Sequence, residues 1–278
     1  MILTERIKNN LEATFNLGFK VVYTKESKTD SYLITLAEDE MEYFQMQVLI
    51  KNDVRFTIVS EPSKYGANFL KAINSSNAEH RDMFCKYWDS FSIENNELTI
   101  RINDISLTKE QFLSDNTEWK KFCIRFTKSA DFSEFDDKDY TYLTYINAIC
   151  AMQLSLLDYE VIYPEEKGTE GYLEGSSKSV KVNRYERDPR NRMLCLFEKG
   201  YNCEVCGFNF FEHYGAIGKD YIEVHHLIPV SQMGPDYKVD PIRDMAPLCS
   251  NCHSMIHKRN PPYTIEELRE IINQQVDK

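Results

Sequence analysis

Two Cys-x2-Cys knuckles constrain this chain more than any other feature of its sequence. Cys203 and Cys206 form the first, Cys249 and Cys252 the second. Together they supply four thiolates, the set that closes a tetrahedron around a structural zinc and leaves no position open. An ordinary zinc ribbon separates its knuckles by roughly 15–20 residues. The stretch from Cys206 to Cys249 is far longer, so something further is built between them.

That insert holds Glu223-Val-His-His-Leu-Ile-Pro229, whose β-branched and apolar residues closed by proline predict a short strand over Tyr221 to His226. Neighbouring side chains on a strand face opposite sides, so His225 and His226 cannot share one task. Beyond the last cysteine, His253 and His257 stand four apart, and a helix from Ser250 to Lys258, stopped by Pro261 and Pro262, places both on one face. The economical arrangement is a metal between one strand histidine and the helix pair. The other strand imidazole is then left as a general base for water.

In order, the chain reads Cys203-Glu-Val-Cys-Gly-Phe208, Tyr214-Gly-Ala-Ile-Gly218, Glu223 to Pro229, Asp240-Pro241, and Cys249-Ser-Asn-Cys-His-Ser-Met-Ile-His257. From about Val180 to its last residue the chain thereby resembles the HNH, or ββα-metal, endonucleases, and within them the McrA-like restriction endonucleases. The resemblance implies that His226 is the general base, and that His225 and His253, with His257 as third ligand, bind the catalytic divalent metal. The middle Asn of the family name, which braces the loop behind the base, falls on Asp244. An ionised Asp only accepts hydrogen bonds, whereas Asn accepts and donates; Asp244 is expected to brace the loop by accepting backbone N–H groups or to join the metal shell. Magnesium prefers oxygen ligands, so an imidazole-rich site is also expected to take manganese, cobalt or nickel.

At 278 residues the chain has room for two domains. Its net charge of −11 argues against indiscriminate coating of nucleic acid, and the acid is unevenly spread. Residues 1–170 carry 19 Lys+Arg against 29 Asp+Glu, while residues 171–278 carry 14 against 15. Local basic groups therefore remain for phosphate: Arg184, Arg187, Arg190 and Arg192 before the first knuckle, Lys258 and Arg259 after the metal helix. A solvated helix face is the plain alternative for each. No apolar run of about 18 residues exists to span a bilayer, and Met1 to Lys8 lacks a secretory apolar core, so a cytoplasmic protein is expected. Cys85, Cys123, Cys150 and Cys195 stand singly among apolar neighbours and read as buried, reduced thiols.

The expected fold class is α+β: an N-terminal domain of antiparallel sheet plus helices over residues 1–162, a Gly/Ser/Glu-rich linker over 163–180, and a zinc-stapled ββα-metal HNH nuclease domain over 181–278. Ile2 to Phe15 has helical spacing; Lys20–Lys25, Tyr32–Ala37, Phe44–Ile50 and Val54–Val59 follow as strands, with a hairpin at Asn52-Asp53. Gly66–Ile73 and Asn77–Phe91 read as helices; Phe84, Tyr87, Trp88 and Phe91 lie at core spacing rather than as a base-stacking platform. Glu97–Ile102 and Lys121–Phe126 are strands around a short helix near Thr108, and Tyr140–Leu157 is a long apolar helix. His80 reads as a packing residue. Asp188-Pro189 opens a helix that Gly200 closes, and Thr264 with Glu267 opens the last one by a capping box.

The resemblance implies a metal-dependent endonuclease cutting double-stranded DNA, with a defence role against foreign or modified DNA and residues 1–162 choosing the target. A homodimer would supply the two sites that a double-strand break needs. Two alternatives stay open: a nuclease released by a ligand or partner sensed by residues 1–162, and an inactive zinc module serving as a binding scaffold.

Overall fold

The computed structural model describes residues 3–38, 41–52, 55–64, 66–91, 96–129, 138–157, 189–228, 238–259 and 261–276. The chain divides into two compact units, Met1–Val161 and Ile162–Lys278. Among the described residues no helix is long and apolar enough to cross a membrane.

The N-terminal unit is built on one antiparallel sheet. Helix α1 (Leu3–Phe15) leads into β1 (Phe19–Glu26), β2 (Thr29–Glu38), β3 (Met41–Lys51) and β4 (Arg55–Pro62). Helices α2 (Ala67–Asn74) and α3 (Ala78–Ser90) follow, then β5 (Asn96–Ile102), β6 (Ile105–Leu107), α4 (Lys109–Ser114), β7 (Phe122–Ser129) and α5 (Lys138–Leu154). Seven described strands lie in the order β1-β2-β3-β4-β7-β5-β6, so the last strand in sequence is inserted between β4 and β5. Strand β6 was not foreseen. It returns from β5 through Asn103-Asp104, both at positive φ (51° and 68°), as a tight hairpin turn requires.

Register decides which side chains meet. Val21, Ile34 and Met46 stand opposite one another across β1, β2 and β3, and the row continues through Ser60, Ile124 and Ile100. Described helices pack on this face: Phe44 meets Phe69 of α2, and Phe56 stacks on Tyr142 of α5 at 5.0 Å. Phe126 lies 5.0 Å from Phe91 at the end of α3. The aromatic stripe of α3 is core: Phe84, Tyr87 and Phe91 are fully buried, and Phe84 stacks on Phe112 at 4.6 Å. His80 does not pack inside. Its ring accepts from the backbone N–H of Asn77 and closes a capping box at the start of α3. Helix α5 ends at Leu154, three residues short of the expected end.

The C-terminal unit comprises α6 (Pro189–Lys199), α7 (Phe210–Tyr214), β8 (Glu223–His226), β9 (Met245–Leu248), α8 (Ser250–Ile256) and α9 (Ile265–Val276). Its core gathers Leu196, Val205, Ile222, Ala246, Leu248, Ile256, Ile265 and Leu268 around three of the knuckle cysteines. Thr264 and Glu267 form the expected capping box, and α9 covers this core. The Asp188 cap and the 163–180 linker lie outside the described residues. Cys85, Cys150 and Cys195 are buried, and burial pushes their thiols above the ordinary range, Cys85 to about 12 and Cys195 to about 11. Cys123 differs: it is only half-buried, because β7 turns it onto the face that carries no described helix.

Replacing Phe84 by Ala empties a site walled by Trp88, Phe112 and Phe122. The expected cost is about 3–5 kcal/mol, read as a lower denaturant midpoint for the N-terminal unit with the C-terminal transition unmoved.

Candidate metal centre and catalytic cluster

The first knuckle is shaped by its backbone. Cys203 N–H donates to the carbonyl of Phe208, and Gly207, at φ +72°, donates back to the carbonyl of Cys203. Glu204 N–H donates to Pro247 O and so ties the knuckle to β9. The second knuckle opens α8: Cys249 is the N-cap, and its sulfur accepts the N–H of Cys252. The four sulfurs lie within 4.8 Å of one another, and Cys206 Sγ is 3.8 Å from Cys249 Sγ. Bonds of about 2.3 Å to one tetrahedral ion give sulfur–sulfur edges of about 3.8 Å, so the quartet has the size of such a site.

Its electrostatics point the same way. Burial works against ionising Cys203, but the N–H groups of Cys206, Cys249 and Val205 outweigh it and hold this thiol below its ordinary range. Burial, and then the neighbouring thiols, push Cys252 the other way. Four thiolates cannot coexist at this spacing without a cation, and with one they can.

Helix α8 also carries two members of a second cluster, His253 and His257. Strand β8 pairs antiparallel with β9, placing His225 opposite Ala246 and His226 opposite Met245. The expected strand began at Tyr221; it is shorter, and its partner β9 was not foreseen. His253 lies in α8 and His257 caps its end, so the helix closes one residue before His257. Nitrogens of His225, His253 and His257 lie within 4.8 Å of one another. Their rings meet edge to face at 4.9–5.2 Å. His226, the next residue on the strand, is not in this trio. His225 is buried, and burial together with the neighbouring imidazoles of His253, His257 and His226 lowers its pKa to about 3. Three imidazole nitrogens therefore converge, a cation-ready arrangement.

Asp244 sits immediately before β9. Its carboxylate accepts the N–H of Asp240 at 2.7 Å, and its backbone carbonyl accepts the N–H of Leu227 at 2.8 Å. The chain just after His226 is thus tied down through Asp244, whose own N–H donates to the carbonyl of Asp240 at 2.7 Å. Asp240 in turn accepts the N–H groups of Ile242 and Arg243 and shapes the same turn.

Sequence reasoning gave no role to Glu223. Its carboxylate meets His253 Nδ1, leaving Nε2 of that ring to face the trio. Burial disfavours the Glu223 carboxylate, but hydrogen bonds from Ser250 and His253 hold it below its ordinary range. Tyr221 OH lies 3.3 Å from Ser250 Oγ and extends the chain of contacts. The signal was present: on a strand Glu223 shares a face with His225, two residues on.

Of the candidate phosphate-binding residues, Arg184 and Arg187 lie outside the described residues. Arg192 donates to the carbonyl of Ile222, while Arg259 is held by Glu267, Pro261 O and the ring of Tyr263 at 4.2 Å. Arg190 is half-buried and Lys258 exposed.

A family model described as HNH endonuclease matches residues 203–259. Residues 203–259 form an HNH endonuclease domain. The chain is also 38% identical over 112 residues to the type IV methyl-directed restriction enzyme EcoKMcrA of Escherichia coli (strain K12). That alignment covers 38% of this chain and 39% of the relative, so the likeness is to part of each protein. No solved structure matches the chain.

The neutral, buried His225 gives the HNH domain a pH limit. An unfolded histidine binds a proton near its ordinary pKa of about 6.5, whereas folded His225 resists protonation down to about 3. Between these values the unfolded state binds the extra proton, so stability falls as pH is lowered. The denaturant midpoint of the C-terminal unit is expected to drop between about pH 7 and about pH 5; a flat midpoint would contradict a neutral His225.

Proposed function

We propose that the protein is a metal-dependent endonuclease that hydrolyses phosphodiester bonds of double-stranded DNA in defence against foreign or modified DNA, with residues 1–162 selecting the target. The observation that carries this reading is the convergence of His225, His253 and His257 beside His226 within the HNH domain. The methyl-directed specificity in the relative's name supports modified DNA as the first substrate to try.

In this reading Cys203, Cys206, Cys249 and Cys252 hold a structural zinc, the ion that four thiolates at this spacing suit. His225, His253 and His257 hold a divalent ion, magnesium, manganese, cobalt or nickel. When bound, that ion supplies Lewis acidity at the scissile phosphate and at the departing oxygen. His226 accepts the proton of the attacking water as its oxygen bonds to phosphorus and the P–O bond to the leaving oxygen breaks. Asp244 keeps the backbone behind His226 in place through Leu227. Glu223 fixes the tautomer and ring plane of His253, as carboxylate partners of ligating histidines do. A cut through both strands takes two such sites, which a dimer supplies.

His226→Ala is expected to slow manganese-dependent cleavage of plasmid and cytosine-modified DNA by roughly 10²–10⁴-fold while retaining the wild-type zinc content. Undiminished cleavage would remove His226 from the reaction. Glu223→Gln should weaken manganese binding by roughly 10–100-fold, measured by titration, with zinc again retained; equal loss of both metals would mean that Glu223 supports the fold rather than His253.

A further inference from the structure

One face of the N-terminal sheet carries no described helix, and its charge is opposite to that of the unit. Register places Val22, Leu33, Gln47, Val59, Arg125 and Thr99 in one row across six strands. Thr24, Ser31, Leu49, Thr57, Thr127 and Glu97 form the next. Lys20, Arg101, Lys51 and Arg55 share this face towards its margins. All five cations are exposed, and the acids of this face whose side chains are described are Glu26, Glu61 and Glu97. Residues 1–161 as a whole hold 18 Lys+Arg against 26 Asp+Glu, so this face reverses the sign of the unit.

A second observation concerns ion pairs. Elsewhere in the unit Arg6, Lys8, Lys25, Lys86, Lys109 and Lys121 are each in an ion pair. Among the described residues, Lys20, Lys51, Arg55, Arg101 and Arg125 are in none, and Lys28, Lys71 and Lys120 of this unit also lack one. Exposed cations on an acidic protein present charge to phosphate, and between them the face offers Gln47 and Thr99 beside the aliphatic Val22 and Leu33.

We propose that this open sheet face is the docking surface for duplex DNA, which rests on the endonuclease reading above. Seven strands about 4.8 Å apart span about 29 Å, close to the roughly 34 Å of one duplex turn. In the C-terminal unit Arg192, Lys199, Arg259 and Arg269 are tied to carbonyls or carboxylates of their own unit, while Arg243 and Lys258 are exposed. Arg125 lies within a central row, flanked by Val59 and Thr99, while Lys20, Arg101, Lys51 and Arg55 supply charge around it.

The test uses the full chain carrying His226→Ala, so that binding is read without cutting. Affinity for a duplex fragment a few turns long is measured by fluorescence anisotropy across a salt series. Arg101→Glu with Arg125→Glu should weaken binding roughly tenfold or more and reduce the salt slope by about two, one per lost phosphate contact. Arg125→Gln, a milder change, should reduce the slope by about one. Lys8→Glu with Lys71→Glu makes the same change in net charge on helices and should leave the slope as it was. Equal losses from both pairs, or no loss from the sheet pair, would overturn the assignment. Competition by polyglutamate but not by duplex would give the face to an acidic polypeptide and overturn it too. Wild-type chain that cuts DNA while the sheet variants bind normally sinks this face alone; wild-type chain that neither binds nor cuts sinks the endonuclease reading with it.

Discussion

The convergence of four cysteine sulfurs within 4.8 Å of one another is the constraint on which the C-terminal unit depends. Cys203, Cys249 and Cys252 are buried inside its core, not hung on its surface. The chain that surrounds them is short, and its apolar cluster is small. A unit of this kind holds together poorly on burial alone. The backbone amides that favour a thiolate at Cys203 are already arranged for a cation, and the binding free energy of a cation held there would be folding free energy.

Helix α8 carries this constraint into the histidine cluster. Cys252 and His253 are adjacent in it, and His257 caps the same helix. Successive residues on a helix are turned by about 100°, so neighbouring side chains serve two different centres. β9 makes the matching connection from the other side: Pro247 accepts from Glu204 in the first knuckle, while Ala246 and Met245 stand opposite the two strand histidines. A short helix and a short strand thus fix the imidazoles relative to the sulfurs. The precision of the trio is borrowed from the quartet.

Much of this was legible in the residues, for reasons that differ between elements. The helices with marked ends, such as α9 with Thr264 and Glu267, follow from local capping chemistry. The strands β2 to β4 follow from their length and alternation. β9 escaped because Met245-Ala-Pro-Leu248 is short, buried along its whole length and interrupted by proline; it is a strand only because β8 pairs with it. Arg192 and Arg259 look like phosphate ligands in a linear reading, since the carbonyl of Ile222 and the ring of Tyr263 are brought to them only by tertiary folding. The placement of β7 between β4 and β5 is non-local in the same way.

That last placement also explains how an acidic unit comes to have a basic face. Arg125 lies on β7 and Arg101 on β5, far from Lys20 in sequence, and no local charge run announces them. Alternation along each strand sends Phe122, Ile124 and Phe126 under the helices and Cys123, Arg125 and Thr127 to the other side. Pairing β7 with both β4 and β5 then lines its polar positions up with Val59 and Thr99. Net charge is a property of composition, but a docking surface is a property of register. The mean charge of the chain hides a surface whose sign would suit a polyanion.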